Sequence, residues 1–428
     1  MMKIISLRAR QILDSRAIPT IEAILETEKG VFYSSVPSGT STGRGEAFEL
    51  RDGNSEFLGK GVRQAVQNIN QVIQEALLAK EFSSQKEIDE FLIALDGTAN
   101  KSRLGANAIL AVSIAFSRAF ARQEHQTLFQ FFSQQTSQLT KENEQQQEGL
   151  SFGLMPKPCF NILEGGKHAG SDLEVQEFMI VPFGESFEKE LQMAAEIYHH
   201  LKIILMKHCG SLAINKGYEA GFAPALKKTE QALDFLVQAI ESAGYKEKVK
   251  IALDVAANNL VYNGKNKYKI NGKLITQDKL LDYYLKLLKK YPILFLEDPF
   301  SENDNASWQR LNEQVAGFFP QPFIVADDLT TTNIKRIELA KEQNLCGGVI
   351  VKPNQIGTVW ETIQAAMRAK SVGWKIIVSH RSGETNDDFI ADLAVGLKAD
   401  FIKAGAPAGG ERVAKYNRLL EIEKEIKN

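Results

Sequence analysis

Short apolar runs recur through the second half of the chain, and amphipathic stretches stand between several of them. The runs at 251–255, 293–296, 323–326, 348–351, 376–379 and 400–403 have the length and β-branched content of buried strands. The stretches 276–290, 333–342 and 358–371 carry apolar residues at helical spacing. Strand and helix in alternation predict a parallel sheet with helices packed outside it. The part of the chain beyond residue 150 is close in size to the roughly 250 residues of a (β/α)8 barrel.

The first third reads differently. Residues 3–36 hold β-rich runs, IEAILETE and VFYSSV, parted by Lys29-Gly30, which predicts a small antiparallel sheet. Helical periodicity follows at 61–80 and 85–95, and a weakly charged apolar helix at 104–121. That stretch contains Asn107, Ser113, Ser117 and Arg118, so it reads as a buried helix and not as a membrane span. Strands first and helices after predict an α+β unit. Residues 133–149, SQQTSQLTKENEQQQEG, hold one apolar side chain, Leu139. So little apolar surface predicts a solvated loop or linker, with the frayed end of a helix as the alternative. The chain thus divides into an N-terminal α+β capping domain, 1–135, and a C-terminal barrel, 150–428, of the α/β class. No glycine fingerprint of the GxGxxG type follows a strand.

Charge narrows the classes of function. Lys and Arg number 51 against 53 Asp and Glu, so no basic excess draws a nucleic acid. Cys159, Cys209 and Cys346 form no CxxC pair, which fits a reducing compartment better than a disulfide or zinc framework. The N-terminus alternates charged and apolar residues and lacks the apolar core of a signal peptide, so a cytoplasmic location is expected.

The chemistry lies where each apolar run stops. IALDV closes on Asp254, LFLEDP on Glu297, IVADD on Asp327, VIVKPN on Lys352, IIVSHRS on His380 and Arg381, and DFIKAG on Lys403. Barrel enzymes place their reacting side chains at these C-terminal strand ends. One polar residue there would merely begin a loop; six in series point to a site. Three converging carboxylates call for a cation, and oxygen ligands favour Mg²⁺ over zinc. Lys352, Arg381 and Lys403 offer positive charge to an anionic substrate. A lysine beside a metal and other cations is expected to have a depressed pKa and to accept a proton.

All of these residues but Asp254 stand within a series of segments that resemble the enolase family: DSRAIPT, VPSGTSTG, LDGTANKSRLGANAILAVS, GGKHAG, VQEFMIVP, LEDPF, VADDLTTTN, KPNQIGT, VSHRSGET and KAGAPA. The resemblance runs along nearly the whole chain. It implies a modified (β/α)8 TIM-like barrel, a homodimer, two Mg²⁺ ions per site and reversible dehydration of 2-phosphoglycerate to phosphoenolpyruvate. By position, Asp254, Glu297 and Asp327 match the ligands of the tightly held metal, and Ser41 matches a residue of the second. Lys352 matches the base and Glu219 the acid, with Glu177 and His380 beside them. His168 and Gln176 match substrate contacts, Arg381 and Ser382 the phosphate site, and Lys403 the neighbourhood of the substrate carboxylate.

Several positions depart from that pattern. Glu164 replaces an asparagine, Tyr218 the acid beside Glu219, Ala220 a glycine, Asn259 a glutamate and Ala404 a threonine. Two other readings therefore stay open: a paralogue acting on a related phospho- or phosphono-carboxylate, and a non-catalytic enolase-like binding protein. The stretch 39–43 also fits the GxSxG of a hydrolase elbow, although no helix is expected after it.

Overall fold

The computed structural model describes residues 2–40, 43–78, 80–143, 155–262, 267–318 and 321–427. Its N-terminal part opens with strands β1 (Ile4–Leu13), β2 (Pro19–Thr27) and β3 (Gly30–Ser35), paired antiparallel in that order. A helical stretch over 63–78 follows, in which α1 (Arg63–Gln67) and α2 (Gln74–Leu78) flank a π-helical segment. Then come α3 (Gln85–Asp96), α4 (Ala106–Gln123) and α5 (Leu128–Asn143). Helix α4 is buried along most of its length, as its apolar composition predicts, and the Ser34 hydroxyl donates to the Ala111 carbonyl.

Helix α5 corrects the expected linker. Residues 133–143 are helical, and Ser133, Gln135 and Thr136 are buried; 144–149 lie outside the described residues. Phe129, Phe131 and Phe132 anchor the helix in the core, so burial decided against the polar composition of its second half.

Beyond residue 155 come β4 (Lys157–Glu164), β5 (Glu177–Pro182), α6 (Phe187–Cys209), α7 (Thr229–Ser242) and β6 (Val249–Asp254). A hairpin of β7 (Lys267–Ile270) and β8 (Lys273–Thr276) leads into α8 (Gln277–Lys290). Strand β9 (Ile293–Glu297), α9 (Asn305–Val315), β10 (Phe323–Ala326) and α10 (Ile334–Glu342) follow. The remainder is β11 (Gly348–Val351), α11 (Pro353–Ile356), α12 (Val359–Ser371), β12 (Lys375–Ser379), α13 (Phe389–Gly396), β13 (Phe401–Lys403) and α14 (Gly410–Lys427). Eight of these strands close a barrel in the order β10-β11-β12-β13-β4-β5-β6-β9.

The six strands expected from the apolar runs are all present, and their neighbours in the barrel pair parallel wherever two of them meet. Strands β4 and β5 were not foreseen, and β5 runs antiparallel to both β4 and β6. The barrel is thus a modified one.

Its interior is filled by Cys159, Met179, Val181, Ala252, Phe295, Val325, Ile350, Ile377 and Phe401. Strand alternation explains what sits above them. Two residues past Ala252, Phe295, Val325, Ile350, Ile377 and Phe401 come Asp254, Glu297, Asp327, Lys352, Ser379 and Lys403, on the same inward face. In β5, whose direction is reversed, the residue two before Met179 is Glu177, which therefore reaches the same rim.

Candidate active site

The cleft at that rim is lined by Glu177, Glu219, Asp254, Asp327, Lys352, His380, Arg381, Ser382 and Lys403, with His168, Gln176 and Thr40 at its walls. Every sequence-predicted site residue among those described converges here except Glu297, which lies just beneath, fully buried and joined to Lys403. Ser41 lies outside the described residues.

Charge alternates around the floor. Lys403 Nζ sits 2.7 Å from Glu297 Oε2, 2.8 Å from Glu177 Oε2 and 3.6 Å from Asp254 Oδ2. Lys352 Nζ donates to Asp327 Oδ2 at 2.5 Å, and Asp327 Oδ1 accepts from the Gln355 amide at 2.9 Å. Gln176 donates to Asp254 Oδ2 at 3.3 Å, and the Ala256 N–H reaches Asp254 Oδ1 at 2.9 Å. Burial and crowded acids push Glu177 up to about 7, against the pull of Lys403. Burial likewise raises Asp254 to about 6 and Glu297 well above the carboxylate range. Burial opposes the charge of Asp327 too, but Lys352 wins and holds it below its ordinary value.

Lys352 departs from expectation. Burial, Arg381 and Lys403 all disfavour its charge, as the sequence suggests, yet contact with Asp327 outweighs them and raises its pKa. Its placement is local in origin. It is the residue before α11, with Pro353 at the first helical position, and its N–H donates to Thr332 Oγ1 at 2.9 Å.

Across the cleft, Glu219 lies with His380 Nε2 3.2 Å from its Oε2 and His168 Nδ1 3.5 Å from its Oε1. The Asn161 amide donates to Glu219 Oε2 at 3.0 Å. Burial works against the charge of Glu219, but the N–H dipole of the neutral His380 imidazole, with His168 and the Arg412 guanidinium beside it, holds its carboxyl well below the ordinary range. Arg412 Nη1 is 2.7 Å from His380 Nδ1. A guanidinium only donates, so Nδ1 accepts, and neutral His380 carries its proton on Nε2, towards Glu219. Burial pushes His380 down to about 4, which agrees with that neutral form.

At the upper wall Arg381 donates to Glu46 Oε2 at 2.9 Å and to Asn354 Oδ1 at 3.0 Å. The Thr40 N–H donates to Ser382 Oγ at 2.9 Å, and Arg16 Nη1 reaches the same oxygen at 3.2 Å. Gly39 packs on Arg381 so closely that a Cβ there would lie 1.9 Å from Nη2. Asn161, Glu46, Asn354, Gln355 and Arg412 escaped the sequence reading. A polar residue inside the apolar run of β4 is the one sign that could have flagged Asn161.

The donor set suits a hard divalent cation. Asp254, Glu297 and Asp327 offer oxygen alone, and the buried Glu297 Oε1 has no hydrogen-bond partner among the described residues. Among the described residues, Asp298, Asp327 and Asp328 bring carboxylate oxygens within 4.8 Å of one another. The two Asp298 oxygens there already accept the N–H groups of Asp327 and Asp328, at 2.9 Å each.

Buried carboxylates and cations facing one another at the C-terminal mouth of a closed barrel define an enzyme that handles a small anion. Comparison with known families agrees in detail. The model of the enolase N-terminal domain matches residues 4–132, and that of the enolase C-terminal TIM barrel domain matches 153–428. "Enolase 1" of Entamoeba histolytica is 46% identical over 440 residues, covering 100% of this chain and 97% of that protein. "Enolase" of Mastigamoeba balamuthi is 44% identical over 433 residues, covering 98% and 95%. The chain belongs to the enolase family and is, by that membership, a lyase of the phosphopyruvate hydratase class.

Proposed function

We propose that the chain catalyses the Mg²⁺-dependent, reversible dehydration of 2-phosphoglycerate to phosphoenolpyruvate, with Lys352 as base and Glu219 as acid. The observation that carries this reading is the placement of a lysine and a carboxyl group, Lys352 and Glu219, in the lining of one cleft. Elimination of water needs such a pair: one group takes a proton from carbon, the other gives one to the leaving hydroxyl. Glu219, held ionised by its neighbours here, must therefore first take up a proton as substrate binds.

Asp254, Glu297 and Asp327 would hold one Mg²⁺, and Ser41 would help hold a second. Bound there, Mg²⁺ would supply positive charge to offset the negative charge that develops on the substrate carboxylate as the C2 proton leaves. Lys352 accepts that proton once Asp327 is engaged elsewhere and no longer stabilises the ammonium. The neutral His380, with its proton towards Glu219, orients the acid, and Glu177 stands beside it. Arg381 and Ser382 face the phosphate, and Lys403 the carboxylate. His168 and Gln176 complete the wall around the substrate.

Two observations weigh against the open readings. Tyr218, Ala220 and Ala404, the departures that suggest another substrate, are absent from the cleft lining among the described residues. Retention of base, acid and metal carboxylates opposes a purely binding role. We assign the chain two domains, 1–135 and 150–428, and a cytoplasmic homodimer. Exposed Val31 and Tyr33, on one face of β3, offer apolar surface that such a dimer would cover.

The test is an assay of purified protein with 2-phosphoglycerate and Mg²⁺, following the absorbance of phosphoenolpyruvate. Turnover that vanishes on chelation and returns with Mg²⁺ is expected. Sustained turnover in excess chelator, or none with Mg²⁺, overturns the reading.

A further inference from the structure

Glu164, one of the departures from the family pattern, ends β4 with its side chain wholly buried. Strict alternation would turn it away from Asn161, three residues earlier. The pairing of β4 with β5 prevents this, because the register shifts between Asn161 and Leu163 and leaves Ile162 as an extra residue. A bulge of this kind resets the alternation. Glu164 then stands opposite Glu177 and on the same face as Asn161.

There it meets the segment that carries Glu219. Glu164 Oε1 accepts the Gly221 N–H at 2.6 Å and the Glu219 N–H at 3.1 Å, and Oε2 lies 3.2 Å from the same Glu219 nitrogen. The segment closes around the carboxyl group without a gap. A Cβ on Gly217 would fall 2.3 Å from Oε2, and one on Gly221 would fall 2.9 Å from Oε1. The far side of the Glu219 residue is pinned as well, since its carbonyl accepts the Ala406 N–H at 3.0 Å. Ala220, next in sequence, has φ +67°, a left-handed conformation that strains an L-residue, and its carbonyl accepts the Tyr198 hydroxyl at 2.8 Å. A strained turn persists only where its surroundings hold it, and Glu164 supplies two of the holding bonds.

The geometry points to Glu164 as a positioning residue: its carboxyl group grips the backbone of residues 219 and 221 and so fixes the aim of the Glu219 side chain at the substrate. The inference rests on Glu219 being the acid of the proposed reaction. Glu164 itself does not line the cleft, so it acts on the chemical step and not on substrate affinity.

Two conservative variants separate reach from charge. Glu164→Asp keeps the carboxylate but withdraws it by about 1.5 Å, one carbon–carbon bond. Glu164→Gln keeps the length and a carbonyl acceptor and loses the ionisable group. If Glu164 positions Glu219, Glu164→Asp lowers kcat by about 10- to 100-fold, the usual cost of a misplaced catalytic group. KM for 2-phosphoglycerate then stays within about two-fold, because only the transition state loses an interaction. Glu164→Gln stays within about three-fold of the wild-type kcat, since one neutral acceptor retains most of a hydrogen bond. Amide hydrogen exchange at Glu219 and Gly221 reads the same contact without catalysis. It should quicken by roughly five-fold or more in Glu164→Asp, the worth of one net hydrogen bond.

Unchanged exchange in Glu164→Asp overturns the inference, as does a larger loss of kcat in Glu164→Gln than in Glu164→Asp. So does a rise in KM alone. Wild-type turnover reports on the proposed reaction separately. An inactive wild type with accelerated exchange in Glu164→Asp would remove the reaction and leave the positioning contact standing.

Discussion

Lys352 is tied to Asp327 in the cleft, and that tie shows how a single side chain can be held ready yet restrained. Charge on the lysine is favoured while Asp327 is its partner, so the group is a poor base until the carboxylate turns to another cation. Lys352→Ala removes the proposed proton acceptor and should leave the fold intact, because the backbone contacts of residue 352 do not depend on its side chain. Formation of phosphoenolpyruvate should fall by about 10²- to 10⁴-fold, the range for losing a general base. A variant that keeps near wild-type rates would assign the base elsewhere. At this scale the sequence was most informative where a charged residue ended an apolar run. Asp254, Glu297, Asp327, Lys352 and Lys403 could be found that way. Asn161 and Glu164 could not be assigned contacts, because their facing depends on a bulge that leaves no mark in the residue pattern.

Among the elements, the six parallel strands were legible because each buries both faces and so reads as a continuous apolar run. Strand β4 was missed because Pro158, Asn161 and Glu164 interrupt its run, and β5 because its functional residue stands at its start. Helix α5 was missed for a different reason. Glutamine and serine dominate its second half, which composition left open between a linker and a helix end, and the apolar anchoring of α5 against α13 lies in its first half. That packing is close. A Cβ on Gly396 would lie 2.3 Å from Phe132 Cβ and 2.8 Å from the Phe129 carbonyl oxygen. Gly396→Ala should therefore lower stability by about 1–3 kcal/mol through overpacking. A shift of the urea midpoint, with the slope unchanged, is the measurement; no shift would mean the two helices separate at little cost.

Across the whole molecule, the N-terminal part grips the barrel through the first turn of α12. Asp89 Oδ2, from α3, accepts the Trp360 N–H at 2.7 Å, and Ser113 Oγ, from α4, accepts the Val359 N–H at 3.0 Å. Burial lifts the Asp89 carboxyl to about 7, against hydrogen bonds from Gln85, Ser113 and the Trp360 N–H that favour its charge. An unfolded aspartate titrates at about 4, so between those values the folded chain binds the extra proton. Stability from this group is full below the unfolded value and is lost as pH rises through the folded one. Urea unfolding of Asp89→Asn should show a smaller fall in stability than wild type between about pH 5 and about pH 8. Equal falls would remove Asp89 as the cause. Among the described residues, no helix is long and apolar enough to cross a membrane.

The closing seam of the barrel also sets when this protein can begin to work. Strand β13 pairs with β4, Phe401 opposite Lys157, so the ring stays open until the residues of β13 have been made. Arg412, which sets the proton of His380, comes later still. At ribosomal rates of about 5–20 residues per second, β4 waits roughly 10–50 seconds for its partner. During that interval its edge must be kept from other chains. A nascent chain that stops short of β13 would carry five of the six strand-end groups and still lack a closed site.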